Sequence, residues 1–156
     1  MSNDLVADTS LGVGVAKDFV LRVVDGYMQG DEDVCNVKVV DTTPPQLSLS
    51  VSPNRMSPPN HALILITATI QATDTCDAAP AVRLVSITSN EPDNGLGDGD
   101  QPNDVQGAAF GTDDRQFLLR RERGGVGKGR IYTITYSATD ASGNATTRQA
   151  TVTVPR

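Results

Sequence analysis

The feature that most constrains this chain is the strict alternation of apolar and polar residues at residues 131–138, which read IYTITYSA. The apolar side chains of this stretch share one face: Tyr132, Ile134, Tyr136 and Ala138. Successive side chains of a β-strand point to opposite faces, so this period of two predicts a half-buried strand. Residues 150–154 alternate in the same way, and the turn-forming sequence at residues 140–144 joins the two stretches into a predicted β-hairpin.

The same period recurs along the chain and predicts a fold made only of strands. The other predicted strands cover residues 19–25, 34–41, 46–51, 63–72, 82–88 and 116–121. Leu63 and Leu65 lie opposite the main apolar face of their strand, which predicts that its first half is covered on both sides. No stretch keeps a helical period for three turns without an interruption. We therefore expect an all-β chain, arranged as a two-sheet Greek-key immunoglobulin-like sandwich preceded by a partial β-hairpin.

An internal repeat indicates that the chain has two parts. Residues 19–41 repeat the strand–loop–strand plan of residues 131–154, and Asp25 and Asp140, which follow equivalent strands, are 115 residues apart. That distance suits one sandwich domain with its loops. We therefore predict that residues 1–40 are part of a preceding immunoglobulin-like domain or an accessory hairpin, and that residues 41–156 form a complete domain. The edge strands of the hairpin are expected to pair with the main domain or with another chain.

Composition excludes several classes of function. The net charge is −6, so the chain has no basic stripe to displace counterions from a nucleic acid. No apolar run approaches the roughly 18 residues of a membrane span, so no membrane insertion is expected. The abundance of Thr, Ser, Asn, Asp and Gly in short strands favours a secreted or cell-surface location. We expect the chain to be a piece of a longer exported protein.

The residues do not form a catalytic pattern. His61 is the only histidine, and its position after two prolines favours a structural role in a loop. Neither a Gly-x-Ser-x-Gly sequence nor a histidine-rich metal motif occurs. Residues 120–123 read RRER and are expected to be a solvated charged face, with an anion or glycan contact as the alternative. Residues 124–129 are glycine-rich but lack the order of a phosphate-binding loop. We therefore expect that the chain is not an enzyme.

Residues 91–104 form an acidic loop that suits calcium. Calcium takes six to eight oxygen ligands from flexible loops, and carboxylates and backbone carbonyls supply them. The candidate ligands in this loop are Asp93, Asp98, Asp100 and Asp104. A second candidate calcium site is the junction between the two parts of the chain, where Asp41, Asp74 and Asp140 are expected to converge. The alternative is a solvated acidic loop that binds nothing.

Three further residues leave alternatives open. Cys35 and Cys76 are expected to be either small buried hydrophobic residues or partners in a disulfide. Tyr132 stands at the start of the penultimate strand, where Greek-key sandwiches often use a tyrosine hydroxyl to fix the preceding crossover. The alternative for Tyr132 is an ordinary core tyrosine.

The sequences DTTPP at residues 41–45 and ATDASGN at residues 138–144 resemble those of bacterial immunoglobulin-like and hyalin-repeat-type modules, which occur in tandem in large secreted proteins. Further motifs resemble one subgroup: SPPNH at 57–61, TCD at 75–77, TSNEP at 88–92 and GRIYTI at 129–134. The resemblance covers residues 41–156. It implies a β-sandwich with a structural, adhesive or spacer role, with neighbouring immunoglobulin-like domains or other protein chains as partners, and it implies no catalytic residues. Some relatives have a second cysteine soon after the TCD motif, where this chain has Ala81 and Val82.

Together these features predict a non-catalytic extracellular structural or adhesive module that calcium stiffens. The alternative is a carbohydrate-binding module of a secreted hydrolase, which would use exposed aromatic rings as platforms for sugars. Aromatic residues make up only 4% of the chain. The candidates outside residues 132–136 are Tyr27, Phe110 and Phe117.

Overall fold

The protein is represented by a computed structural model, which describes residues 12–24, 26–27, 29–94, 101–125 and 127–156. Two compact units divide the chain, Met1–Thr43 and Pro44–Arg156. The described residues contain strands, turns and loops and no helix, so the expectation of an all-β chain is confirmed. None of the described segments is therefore a helix that would span a membrane.

In the part of the first unit that the structure describes, β1 (Ala16–Val24) and β2 (Gly30–Lys38) form an antiparallel hairpin. Both strands begin three or four residues before the stretches predicted from apolar alternation. All the residues of the two strands are exposed except Phe19, which is half-buried. A two-stranded ribbon buries little apolar surface by itself, and isolated hairpins are marginally stable in water.

The described residues of the second unit form two sheets. Its strands are β3 (Gln46–Ser52), β4 (Leu63–Thr73), β5 (Ala81–Ser89), β6 (Val105–Gln106), β7 (Gln116–Arg120), β8 (Gly129–Thr139) and β9 (Ala145–Pro155). One sheet has the order β3-β4-β7-β6 and the other the order β5-β8-β9. All the ladders between these strands are antiparallel.

Strand alternation builds the core of the second unit as predicted. On β8 the four apolar residues of one face are buried, while Ile131 on the other face is exposed. Strands of both sheets contribute to one hydrophobic cluster, whose largest buried members are Tyr132, Tyr136, Phe117, Ile66, Leu84 and Leu119. Fully burying one such side chain contributes about 1.5–3 kcal/mol, so this cluster is the main source of stability.

Three features differ from expectation. Leu65 is 51% exposed, whereas Leu63 is half-buried, so the second side of the first half of β4 is covered only in part. Strand β6 was not predicted, because two residues are too few to show a period. Cys35 and Cys76 are both exposed, and neither is part of a disulfide. Both expectations for the cysteines were therefore wrong.

Candidate functional site: a buried charge network

Five charged side chains of the second unit form a network that is mostly buried. We call it the charge network, and its members are Glu91, Asp104, Arg120, Glu122 and Arg130. All except the partly exposed Glu91 are buried. Charged side chains are rarely buried without partners, because removing an ion from water costs several kcal/mol. The contacts within the network therefore decide what it does.

The strands place the arginines. Arg130 is the second residue of β8 and shares the inward face of that strand with Tyr132. Arg120 is the last residue of β7, and Glu122 follows two residues later. Both are buried although Arg120 has the parity of Leu118, opposite to that of the core residues Phe117 and Leu119. The RRER sequence is therefore only partly a surface feature, and the expectation of a solvated face was wrong for Arg120 and Glu122.

The carboxylate of Asp104 lies between two guanidinium groups. Its Oδ1 is 3.3 Å from Arg120 Nε, and its Oδ2 contacts Arg130 Nη1. The backbone N–H of Arg120 also donates to the carbonyl oxygen of Asp104 at 2.8 Å. Asp104 stands directly before β6, so these contacts fix the end of the acidic loop to β7.

The carboxylate of Glu122 faces the imidazole of His61 and the guanidinium groups of Arg120 and Arg130. Its Oε2 is 2.9 Å from His61 Nδ1 and 4.0 Å from Arg120 Nε. Its Oε1 is 3.8 Å from Arg130 Nη2. His61 has a positive φ of 60° and stands in the loop before β4, so the carboxylate links this loop to the network.

The two arginines also bind the backbone of the acidic loop at both of its ends. Arg120 donates to the Gln101 side chain at 3.0 Å and to the Pro102 carbonyl at 3.1 Å. Arg130 donates to the Pro92 carbonyl at 3.2 Å. One buried network therefore holds the segment after β5 and the segment before β6 together.

Glu91 extends this arrangement to the loop between β7 and β8. Its Oε2 is 3.3 Å from Arg130 Nε and accepts a hydrogen bond from the Gly124 N–H at 2.8 Å. Hydrogen bonds to charged groups contribute about 1.5–3 kcal/mol, which is more than a neutral pair contributes. The carboxylate therefore stabilises two loops at once.

The predicted calcium ligands of the acidic loop have different environments. Asp93 accepts hydrogen bonds from the backbone N–H groups of Asn103 and Asp104, at 2.9 and 2.7 Å. The Asp104 carboxylate faces the two arginines. Asp98 and Asp100 lie outside the described residues. Among the residues described, Asp93 and Asp104 thus close the base of the loop, and the calcium prediction now depends on Asp98 and Asp100.

The predicted junction residues serve local turns. Asp140 accepts hydrogen bonds from the N–H groups of Ser142 and Asn144 and from the Asn144 side chain. Burial acts to raise the pKa of Asp140, but these hydrogen bonds outweigh it and lower the pKa below its ordinary value. Asp74 similarly accepts from the backbone N–H groups of Cys76 and Asp77. Asp41 belongs to the first unit, where it accepts from the Thr43 N–H at 3.0 Å.

A residue that was not predicted connects two of these turns. Asp77 Oδ2 accepts a hydrogen bond from the Ala141 N–H at 2.9 Å, so the loop after β4 contacts the turn between β8 and β9. The TCD sequence contains Asp77, but nothing in the sequence shows that its carboxylate reaches a residue 64 positions away.

Tyr132 connects the core to the charge network. Its hydroxyl donates to the carbonyl oxygen of Arg120 at 2.9 Å and accepts from Arg130 Nη1 at 3.4 Å. Burial raises the pKa of Tyr132 to about 12, because the phenolate would lose its hydration. Of the two roles open for Tyr132, the structure therefore favours the hydroxyl that fixes the crossover between β7 and β8.

The aromatic residues proposed for glycan binding differ in exposure. Phe117 is 1% exposed and belongs to the core, so it is not available to a sugar. Phe110 in the second unit and Tyr27 in the first are exposed. The carbohydrate alternative therefore keeps one candidate ring in each unit.

Comparisons of the chain with models of known protein families, with curated proteins and with solved structures found no match.

Proposed function

We propose that the second unit is a non-catalytic, extracellular structural or adhesive module with a two-sheet, Greek-key, immunoglobulin-like sandwich. In this proposal the module works as a stiff spacer between neighbouring domains or protein partners. The charge network makes it stiff, because it joins the loops at one end to the strands that carry them.

The order of the strands supports the immunoglobulin-like architecture. In a constant-type immunoglobulin domain, seven strands lettered A to G form the sheets A-B-E-D and C-F-G. Lettering β3 to β9 from A to G turns β3-β4-β7-β6 into A-B-E-D and β5-β8-β9 into C-F-G. Tyr132 then stands near the start of strand F, with its hydroxyl bound to the end of strand E. This is the place of the tyrosine corner in that fold.

The observation that carries the functional proposal is that the buried charges of the network lie against charges of opposite sign. The pairing is incomplete, because four buried atoms of the network have no hydrogen-bond partner among the described residues: Asp104 Oδ1 and Oδ2, Arg120 Nε and Glu122 Oε1. Arg120 and Arg130 direct their guanidinium groups at carboxylates and loop carbonyls of the same unit. Such a network costs desolvation energy, and what it contributes in return is a single fixed arrangement of the groups it joins. A fixed arrangement of loops is what a spacer requires.

Stretching single molecules tests the proposal. A stiff module unfolds in one step, at a defined force, with an extension of about 3.6 Å for each residue released. We expect one such step for residues 44–156 and a lower unfolding force for Arg130→Met. Gradual extension without a force peak would contradict a spacer role.

Calcium is a separate part of the proposal. If Asp98 and Asp100 bind calcium, adding calcium to chelator-treated protein raises the midpoint of thermal unfolding in the wild type and not in the Asp98→Asn, Asp100→Asn variant. Asp104→Asn, by contrast, should lower the midpoint with or without calcium, because Asp104 lies between the two arginines. If the wild type unfolds at the same midpoint with and without calcium, the calcium part of the proposal is wrong. The charge network is then the stiffening element.

A further inference from the structure

One face of the hairpin of the first unit exposes apolar side chains. We call it the open face, and its members are Phe19, Leu21, Val23, Cys35 and Val37, which the ladder places on one side of the hairpin. Leu21, Val23 and Val37 are 50%, 61% and 42% exposed. The same side also carries Lys17, Asp31 and Asp33. The opposite side carries two polar cross-strand pairs, Asp18 with Asn36 and Arg22 with Glu32, and three exposed valines, Val20, Val24 and Val34. Both faces therefore mix apolar and charged residues, and the open face holds the largest apolar side chains of the two strands, Phe19 and Leu21.

The hairpin has the same ladder as β8 and β9. A constant shift of 115 residues converts the end of β1, Val24, into the end of β8, and the start of β2, Gly30, into the start of β9. The register follows the same shift: Phe19 pairs with Cys35 as Ile134 pairs with Ala150. The two connecting loops therefore have equal length, and equivalent residues point to equivalent faces.

Backbone geometry extends the equivalence beyond the strands. Gly14 has a φ of 84°, and its equivalent, Gly129, has a φ of 100°. Gly14 lies two residues before β1 and Gly129 is the first residue of β8, and a positive φ is costly for residues other than glycine. The two segments therefore share an unusual conformation as well as a register.

The open face corresponds to a buried face in the second unit. Phe19, Leu21 and Val23 are equivalent to Ile134, Tyr136 and Ala138, which are all buried, and Val37 is equivalent to the buried Val152. The polar residues also correspond, because Asp33 is equivalent to the exposed Arg148. Lys17 is the exception, since its equivalent is the buried Tyr132.

We propose that the open face is the docking surface for the sheet of an adjoining module in a tandem array. This inference rests on the proposed function. The sheet that fits presents alternate aliphatic side chains, as β3, β4 and β7 do in the core that covers β8 and β9. The same module also supplies a strand for the outer edge of β1, which pairs only with β2 among the described residues, whereas β8 pairs with both β5 and β9.

The area of the open face argues against a second copy of the hairpin as the occupant. Two strands of nine residues cover a face of about 30 Å by 10 Å. Two such faces would bury roughly 600 Å² together, which is below the about 1,200 Å² of a stable interface. A complete sheet offers more surface and also satisfies the edge of β1.

A strand exchange within the full chain tests whether the open face can pack against a sheet such as the one that covers β8 and β9. Residues 133–139 and 145–151 are replaced by residues 18–24 and 30–36, and the turn at residues 140–144 is kept. This exchange puts Phe19, Leu21 and Val23 in the places of Ile134, Tyr136 and Ala138. We expect one cooperative unfolding transition of the second unit, with its midpoint lowered by roughly 5–15 °C, and retained amide protection in β4.

The control exchange uses the same strands displaced by one residue. Residues 17–23 and 31–37 keep the pairing of the hairpin but turn Asp18 and Arg22 inward. This variant should lose the cooperative transition, because a shift of one residue moves the apolar set to the other face. Equal behaviour of the two exchanges, or loss of folding in both, would overturn the proposal.

A second test uses the unmodified chain and measures its oligomeric state and its binding of a hydrophobic dye. We expect a monomer that binds a hydrophobic dye, with dye binding lost in Leu21→Lys and kept in Val20→Lys, which lies on the opposite face. A dimer that Leu21→Lys dissociates would make a second copy the occupant and overturn the adjoining module. If the second unit of the wild type does not unfold cooperatively, the proposed function fails. If the second unit of the wild type unfolds cooperatively but the variant with the in-register exchange does not fold, the proposed function stands and only the docking proposal fails.

Discussion

At the scale of single residues, Arg130 illustrates how the parity of a strand can place a charge inside the protein. It alternates in step with Tyr132 and Ile134, so its side chain enters the same buried face. There it meets the carboxylates of Asp104, Glu91 and Glu122. Removing the guanidinium leaves negative charges buried without compensation, which is costly.

We predict that Arg130→Met lowers the free energy of unfolding by about 3–5 kcal/mol. The matched control is Arg115→Met, whose ion pair with Asp113 is at the surface. Exposed pairs contribute about 0–1 kcal/mol, so the control should change little. Denaturant unfolding of both variants measures the difference, and equal losses would mean that the network adds nothing beyond a surface pair.

Gly129 is a second residue-scale test, because its position excludes a side chain in two ways. Its φ is 100°, and an added Cβ would lie 2.5 Å from the Val154 carbonyl oxygen. Gly143 has a similar φ of 91° but open space around it. We predict that Gly143→Ala costs about 1 kcal/mol and that Gly129→Ala costs at least about 2 kcal/mol, measured by denaturant unfolding. If the two substitutions lower the free energy of unfolding equally, the backbone of β9 at Val154 can move away from the added methyl group at little cost.

At the scale of elements, the crossover from β7 to β8 is fixed from inside the core. The Tyr132 hydroxyl binds the carbonyl oxygen of Arg120, and the segment between the two strands returns to Glu91 through the Gly124 N–H. These contacts bring the end of one sheet to the start of a strand in the other. They are also what ties the charge network to the hydrophobic core.

Tyr132→Phe should lower the free energy of unfolding by about 1–3 kcal/mol, because it leaves a buried carbonyl without its donor. Tyr27→Phe is the control, since Tyr27 is exposed and a surface change is usually within about 0.5 kcal/mol. The comparison requires only thermal or denaturant unfolding. A neutral Tyr132→Phe would show that Tyr132 is an ordinary core residue.

At the scale of the whole molecule, two buried phenols connect folding to pH. Burial raises the pKa of Tyr132 and of Tyr136 to about 12, compared with 10 for the free side chain. Between about pH 10 and 12 the two phenols lose their protons in the unfolded chain but keep them in the folded protein. The free energy of unfolding therefore falls as the pH rises through this window.

We predict that stability is unaffected by these phenols below about pH 10 and falls steeply between about pH 10 and 12. Difference absorbance of the phenolate, recorded with circular dichroism, measures both events. The two signals should change together for Tyr132 and Tyr136. Ionisation of both phenols at pH 10 in a protein that remains folded would contradict their burial.

The sequence by itself determined every described strand except the two-residue β6, the parity of most of their faces and the repeat of 115 residues. These features depend on contacts between near neighbours, because a period of two is a property of one strand. The same parity could have predicted that Arg130 is buried, since it lies in step with Tyr132.

Only the tertiary structure decided which distant groups meet. Asp104 is recognisable in the sequence as a loop carboxylate, yet its role depends on Arg120 and Arg130, which reach it from two different sheets. Residues that come together only when two sheets pack leave no local pattern, because their spacing depends on loops rather than on a strand. For the same reason the sequence could predict a hairpin at β1 and β2 but not that its apolar face is exposed.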